Sequence, residues 1–191
     1  MKTVYLDTNI IIAPLRTVDP NAKAIRVLES QKHLRFVTGT LSILEIVSIL
    51  SREEQILRRA IMDLSSRGFL TELVSLPLEN QVQLIIGYLL NRIGIRVLDE
   101  LASEPNRYAQ VKFSTSPLVK LALRLNPSTK LRTLDNLHLS TAILYNNLLG
   151  DKIDYLVTSD SEFLSKRGNY KSLTDINVVS PELILQLEVA K

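Results

Sequence analysis

The chain has 191 residues, with 23 Lys+Arg against 20 Asp+Glu and a formal net charge of +3. Hydrophobic residues make up 46% and charged residues 23%, a balance that suits one globular domain and argues against disorder. With no cysteine, the chain has no disulfide scaffold, thiolate metal site, iron–sulfur cluster or cysteine nucleophile, and fits a reducing compartment. No apolar run reaches the roughly 18 residues that a membrane span needs, so a soluble, cytoplasmic protein without membrane contact is expected.

Thr3 to Leu6 is a short β-favouring run and predicts a first strand. A helical stretch broken at Pro14 follows, then Asp19-Pro20 as a helix start running to about Ser30. Leu34 to Val37 predicts a second strand, stopped by Gly39. Leu41 to Leu50 is an all-round apolar helix, and Arg52 to Arg67 an amphipathic one closed by Gly68. Glu72 to Leu76 predicts a third strand. Leu78 to Asn91 is helical up to a break at Gly94, and Pro117 opens a helix to Leu125. Leu134 to Leu148 is a strong helix stopped by Gly150, Tyr155 to Val157 and Asn177 to Val179 are strands, and Pro181 opens a terminal helix. Strands alternating with helices imply a mainly parallel central sheet in a three-layer α/β/α sandwich, a single domain spanning 1–191 with a helical insertion at 77–130.

Charge is missing from three segments except for one acid in each. Asp7 is alone between Lys2 and Arg16, Glu45 between Arg35 and Arg52, and Asp135 between Arg132 and Asp151. A lone buried carboxylate costs several kcal/mol unless it is paired, neutralised or bound to a metal. Asp7 ends the first strand, and Asp160 follows the strand Tyr155 to Val157, so both belong on the carboxyl rim where open α/β sheets gather ligands. Asp154 precedes that strand and belongs on the opposite rim. Glu45 and Asp135 lie near helix starts that tend to face the same rim as Asp7. Converging acids raise one another's pKa, and a hard cation such as Mg²⁺ or Mn²⁺ relieves this while acidifying water for attack on a phosphodiester.

Val4-Tyr5-Leu6-Asp7-Thr8-Asn9, the helix acid Glu45, Leu134-Asp135-Asn136-Leu137-His138-Leu139-Ser140-Thr141-Ala142 and Thr158-Ser159-Asp160-Ser161-Glu162-Phe163-Leu164 together resemble the PIN-domain nucleases. That family includes the toxin ribonucleases of toxin–antitoxin pairs. The resemblance covers residues 1–67 and 133–179; the compact toxin-type members lack most of the segment 77–130. It implies a metal-dependent endoribonuclease whose four acids are Asp7, Glu45, Asp135 and Asp160, with Asn9 and Thr158 as flanking polar residues. A homodimer is also implied, to which the apolar stretches Leu84 to Leu90 and Leu183 to Leu187 could contribute, and an antitoxin is the partner of its toxin members.

Each acid also has a plainer reading. Asp7 can cap the next helix, Ser42-x-x-Glu45 has capping-box spacing, Asp135 can serve its helix dipole, and Asp160 can be a turn residue. Glu162 is either an outer, supporting acid or solvated surface. His138, three residues after Asp135, can orient that acid, contact phosphate or sit hydrogen-bonded in the core. Asn9 can ligate through water or hold its loop. Between Asn106 and Thr133 there are six basic residues (Arg107, Lys112, Lys120, Arg124, Lys130 and Arg132) and no acid, with Tyr108 and Phe113 interleaved. Such a run can follow an RNA backbone and stack its bases, or be a solvated helix face. A different class of function, a catalytically weak RNA-binding or assembly module, uses the same fold with structural acids. A phosphatase of the haloacid-dehalogenase type needs a second Asp two residues after the first, where this chain has Asn9.

Overall fold

The computed structural model describes residues 1–16, 19, 21–66, 73–98, 104–108, 111–148, 152–171 and 174–188; of 65, 66, 104–108, 111–115, 147 and 148 it describes the backbone alone. In chain order the elements are β1 (Lys2–Leu6), α1 (Thr8–Ile12), α2 (Ala22–Glu29), β2 (Leu34–Gly39), α3 (Thr40–Arg52), α4 (Glu54–Ser66), α5 (Leu78–Ile93), β3 (Ile95–Leu98), β4 (Glu104–Tyr108), β5 (Val111–Thr115), α6 (Pro117–Thr129), α7 (Thr133–Leu148), β6 (Ile153–Val157), α8 (Ser161–Ser165), α9 (Arg167–Lys171), β7 (Asn177–Val179) and α10 (Pro181–Glu188). Five of the strands form one parallel sheet in the order β3-β2-β1-β6-β7. This is the α/β architecture expected from the alternation of elements.

Central strands of a parallel sheet are covered on both faces and read as near-continuous apolar runs. Val4 and Tyr5 of β1 are fully buried, as are Leu156 and Val157 of β6. Their side chains divide between two cores. Val4, Leu6, Phe36 and Val157 face a cluster built with α1 to α5 and α10, and Tyr5, Val37 and Leu156 face one built with α7, Phe163 and Tyr170. A bulge between β1 and β6 lets Asp154 drop out of register. Its carboxylate accepts from the Thr3 backbone N–H at 2.9 Å and meets Lys2 Nζ at 3.1 Å. Asp154 is therefore neutralised at the amino rim, away from Asp7.

The sheet order has one reversal. From β1 the chain builds outward through β2 and β3, then returns to β6 on the other side of β1. That switch point leaves a crevice beyond the carboxyl ends of β1 and β6, where Asp7 and Thr158 begin their loops.

Two sequence expectations are corrected. The third strand is not Glu72 to Leu76. Leu73–Ser75 is a 3-10 turn, Glu72 lies outside the described residues, and the sheet edge is β3 instead. Leu73 to Leu76 is no shorter than the run that does hold a place in the sheet. The run Ile95–Leu98 gains one because Gly94 ends α5 in the left-handed region at φ 71°, turning the chain directly into a strand. The segment 77–130 is also not simply helical: it supplies α5, α6, the sheet edge β3 and the antiparallel hairpin β4–β5. Helix α6 runs on past Leu125 to Thr129, carrying Pro127 in its last turn, where little of the ladder remains to break. Gly68 and Gly150, read as helix stops, lie outside the described residues.

Helices on the first face are tied by a polar clasp. Arg92 of α5 reaches Glu29 of α2 at 2.7 Å and Asp63 of α4 at 3.5 Å, and Tyr88 donates to Asp63 at 2.9 Å. In the stretch Leu84 to Leu90, Ile85, Ile86 and Leu89 are buried, so most of that apolar surface is consumed inside the fold.

Candidate active site

Asp7 occupies the N-cap position of α1, but its carboxylate makes no cap bond. Backbone carbonyl Asp7 O takes the Ile10 and Ile11 N–H groups, which frees the side chain. Asp7 Oδ2 accepts from the Thr158 hydroxyl at 2.8 Å, and Oδ1 lies 3.4 Å from His138 Nε2. Asp7 is only 4% exposed. Thr158 also accepts the Asp160 N–H at 3.0 Å, so one hydroxyl couples the ends of β1 and β6.

Glu45 lies in the second turn of α3 and does not close a capping box with Ser42. Ser42 is occupied by Thr38, whose hydroxyl donates to Leu6 O at 2.8 Å and shares a 2.7 Å bond with Ser42 Oγ. The Glu45 carboxylate points across the crevice. Its Oε2 receives both the Thr8 hydroxyl and His138 Nε2, the latter at 2.8 Å. Burial alone would raise the Glu45 pKa; the bonds from His138 and Thr8 outweigh it and hold the group below the usual carboxylate value.

Asp135 stands in the first turn of α7. Its Oδ2 is buried and meets no hydrogen-bond donor among the described residues. Burial, then the charges of Asp160 and Asp7, push its pKa from 3.8 to about 6, against the opposing pull of His138 and Arg132. Asp160 caps α8: its Oδ1 accepts the Phe163 N–H at 2.9 Å. The turn role is therefore real, and it engages one oxygen of the carboxylate.

His138 is 2% exposed and joins the two halves of the site. Nδ1 lies 3.0 Å from Tyr5 Oη, and Nε2 faces Glu45 and Asp7. Burial opposes its charge, but Tyr5, Glu45 and Asp7 together raise its pKa well above the usual imidazole value. Ligand atoms of Asp7, Glu45 and His138 all lie within 4.8 Å of one another, a group that does not include Asp135 or Asp160. Those two acids stand close enough for Asp135 to feel the charges of both Asp160 and Asp7.

The remaining expected residues divide. Asn9 is half-buried in the first turn of α1. Glu162 is no free outer acid: Arg132 meets it at 2.8 Å and Lys166 at 2.7 Å, and the Lys166 bond and the Arg132 charge lower its pKa. Lys166 also donates to Lys130 O, closing the rim between α6 and α8. Arg124, Lys130 and Arg132 are exposed and Lys120 is half-buried, while the side chains of Arg107, Lys112, Tyr108 and Phe113 lie outside the described residues. Sequence reasoning leaves Tyr5 and Thr8 out of the site. Adjacency to Asp7 is the one signal for Thr8; Tyr5 offers none, since its partner is 133 residues away.

Among the described residues no helix is long and apolar enough to cross a membrane. No curated protein matches the chain. Among solved structures the chain is similar to VapBC2 from Rickettsia felis, solved bound to a DNA fragment from their promoter, at 14% identity and a TM-score of 0.50, covering 93% of this chain and 98% of that one. It is also similar to FitAcB from Neisseria gonorrhoeae at 15% identity and a TM-score of 0.46, covering 93% and 97%. A family model described as PIN domain matches residues 4–169. With the motif order, the parallel sheet and the acid-lined crevice in agreement, the chain belongs to the PIN domain family of nucleases.

Proposed function

We propose that the protein is a divalent-metal-dependent endoribonuclease, in which Asp7, Glu45, Asp135 and Asp160 hold Mg²⁺ or Mn²⁺. The observation that carries this reading is Asp135 Oδ2, a buried carboxylate oxygen that meets no donor among the described residues, in a crevice where burial and then the charges of Asp160 and Asp7 lift its pKa. Such an atom is unexplained in a structural acid and suits a cation's coordination shell. The donor set is oxygen-rich, which fits a hard ion. When bound, the ion would acidify water and neutralise the scissile phosphate's charge.

The chain's own contribution is placement. Thr158 fixes Asp7 through Oδ2 and so leaves Oδ1 toward the crevice. Thr8 and His138 both engage Glu45 Oε2, so neither bond falls on Oε1. Asp160 lends one oxygen to the α8 cap and keeps the other. No side chain need act as a covalent nucleophile. In a cleavage assay on mixed RNAs, activity should require Mg²⁺ or Mn²⁺, stop with chelator, and fall about 10³-fold in Asp7→Asn while RNA binding persists. RNA binding without any metal-dependent cleavage would instead establish the binding-module reading.

The exposed residues Arg124 and Lys130 lie on and just after α6, which packs against α7, the helix that carries Asp135, and belong to the proposed RNA path. The double variant Arg124→Glu/Lys130→Glu should weaken single-stranded RNA binding and flatten its log–log salt slope by about 0.7 for each phosphate that is no longer neutralised. An unchanged slope in a filter-binding titration would remove this surface from the path. A homodimer, an antitoxin partner and a cytoplasmic location belong to the same reading through the family resemblance.

A further inference from the structure

His138 sits where the chemistry of the acidic crevice is decided. By separation alone its Nε2 qualifies as a third ligand beside Asp7 and Glu45. Hydrogen positions argue otherwise. The Gly39 backbone N–H donates to Tyr5 Oη at 3.3 Å, so that oxygen is already an acceptor and has its own proton to give. Tyr5 is fully buried, and Nδ1 of His138 lies 3.0 Å away, where a neutral Nδ1 takes that proton and a charged ring donates to the oxygen instead. The rings meet edge to face, with centroids 6.0 Å apart. A neutral imidazole that accepts at Nδ1 carries its proton on Nε2. A charged ring carries a proton on Nε2 as well. Only the opposite neutral tautomer offers a lone pair at Nε2. It would set that lone pair 2.8 Å from a Glu45 oxygen and 3.4 Å from an Asp7 oxygen, acceptors facing one another with no proton between them.

We propose that Tyr5 and His138 form a buried positioning pair: Tyr5 holds the ring with an N–H at Nε2, and that N–H aims the Glu45 carboxylate into the crevice, leaving the cation an all-oxygen shell. The proposal rests on the nuclease reading of this crevice and adds to it which of the three clustered groups is not a ligand. It accounts for the placement of Glu45, which sits on the second turn of α3 and is held across the crevice by Thr8 and His138. It also accounts for Gly39. A Cβ there would lie 3.0 Å from Tyr5 Oη and 3.0 Å from Thr141 Cγ2, against the group that sets the tautomer. Outer partners that orient metal ligands in this way are worth about 10–100-fold in affinity.

Mn²⁺ bound to the full chain is the probe, read by pulsed electron paramagnetic resonance and by calorimetric affinity. In the wild type, bound Mn²⁺ should show no ¹⁴N coupling of a directly coordinated imidazole. His138→Gln keeps an N–H donor and should stay within about 3-fold of wild-type affinity, while His138→Ala should lose about 10–100-fold. Tyr5→Phe should fall between them and gain affinity for Zn²⁺ relative to Mg²⁺, because it frees the ring to present Nε2. A directly bound ¹⁴N signal that vanishes in His138→Gln would overturn the positioning role and leave the metal centre standing. Absence of any Mn²⁺ binding sensitive to Asp135→Asn would overturn the metal centre itself, and the pair's role with it. The wild-type spectrum decides the ligand question even if a variant folds poorly.

Discussion

Asp135→Asn should lower metal-dependent RNA cleavage about 10³-fold and yet make the metal-free protein more stable above pH 6. The loss follows from removing one carboxylate of the proposed cation site: an ion supplies several kcal/mol to a phosphoryl transition state, and each 1.36 kcal/mol is a factor of ten. The gain in stability follows from linkage. Folding raises the Asp135 pKa from 3.8 to about 6, so the folded state holds its proton more tightly than the unfolded state. Below about pH 3.8 the carboxyl is neutral in both states and contributes nothing. As pH rises through the window up to about 6, the wild type loses stability, and above it the full cost of ionising the group beside Asp160 and Asp7 remains. Asn never incurs that cost. A fully shielded group would give about 3 kcal/mol for this shift, and partial solvation reduces it to about 1 kcal/mol. Urea titrations in chelator should therefore show Asp135→Asn ahead at pH 7.5 and level with wild type at pH 3.5. Saturating Mg²⁺ should reverse the order, because ligand binding to the native state stabilises only the protein that retains the site. A variant less stable than wild type in chelator at pH 7.5 would mean that Asp135 is a structural acid.

How much of this can be read from the chain depends on whether a signal is local. Asp7 and Asp160 announce themselves because each follows an apolar strand, and the parallel topology puts both strand ends on one rim. Glu45 and Asp135 stand out because their neighbours carry no charge. Their capping alternatives are equally local and are resolved only by partners: Ser42 turns to Thr38, while Glu45 turns to Thr8 and His138. Asp160 is the case where both readings hold, since one oxygen caps α8 and the other remains. The Tyr5–His138 contact has no local mark. It exists because Tyr5 faces the second layer of the sandwich and α7 packs there, a fact of sheet facing that spacing along the chain does not encode. The edge strand is hard to place for a similar reason. Leu73 to Leu76 and Ile95 to Leu98 are comparable short apolar runs, and only the left-handed turn at Gly94 distinguishes the one that enters the sheet.

Phe163→Ala should cost about 3–5 kcal/mol, a large part of the roughly 5–15 kcal/mol that holds a domain together, and should take the site with it. Phe163 is fully buried and packs edge to face on Tyr170 at 5.5 Å, joining α8 and α9 to the second core. Its backbone N–H is the donor that Asp160 caps, so the ring in the core fixes the carboxylate at the crevice. Helix α8 has only five residues and cannot hold itself; without the ring, the cap and the acid lose their frame. Two substitutions at Asp160 separate the cap from the charge. Both substitutions relieve Asp135 of a neighbouring charge; beyond that shared gain, Asp160→Ala also loses the cap and should be about 1 kcal/mol less stable than Asp160→Asn, which preserves a good N-cap. Mn²⁺ affinity should nevertheless fall about 10-fold or more in both, because the amide cannot replace a carboxylate oxygen for a hard cation. Urea midpoints and Mn²⁺ titrations on the wild type and these three variants test this. Wild-type Mn²⁺ affinity in Asp160→Asn would reduce Asp160 to a helix cap, and an undiminished urea midpoint in Phe163→Ala would show that the second core does not hold the rim in place.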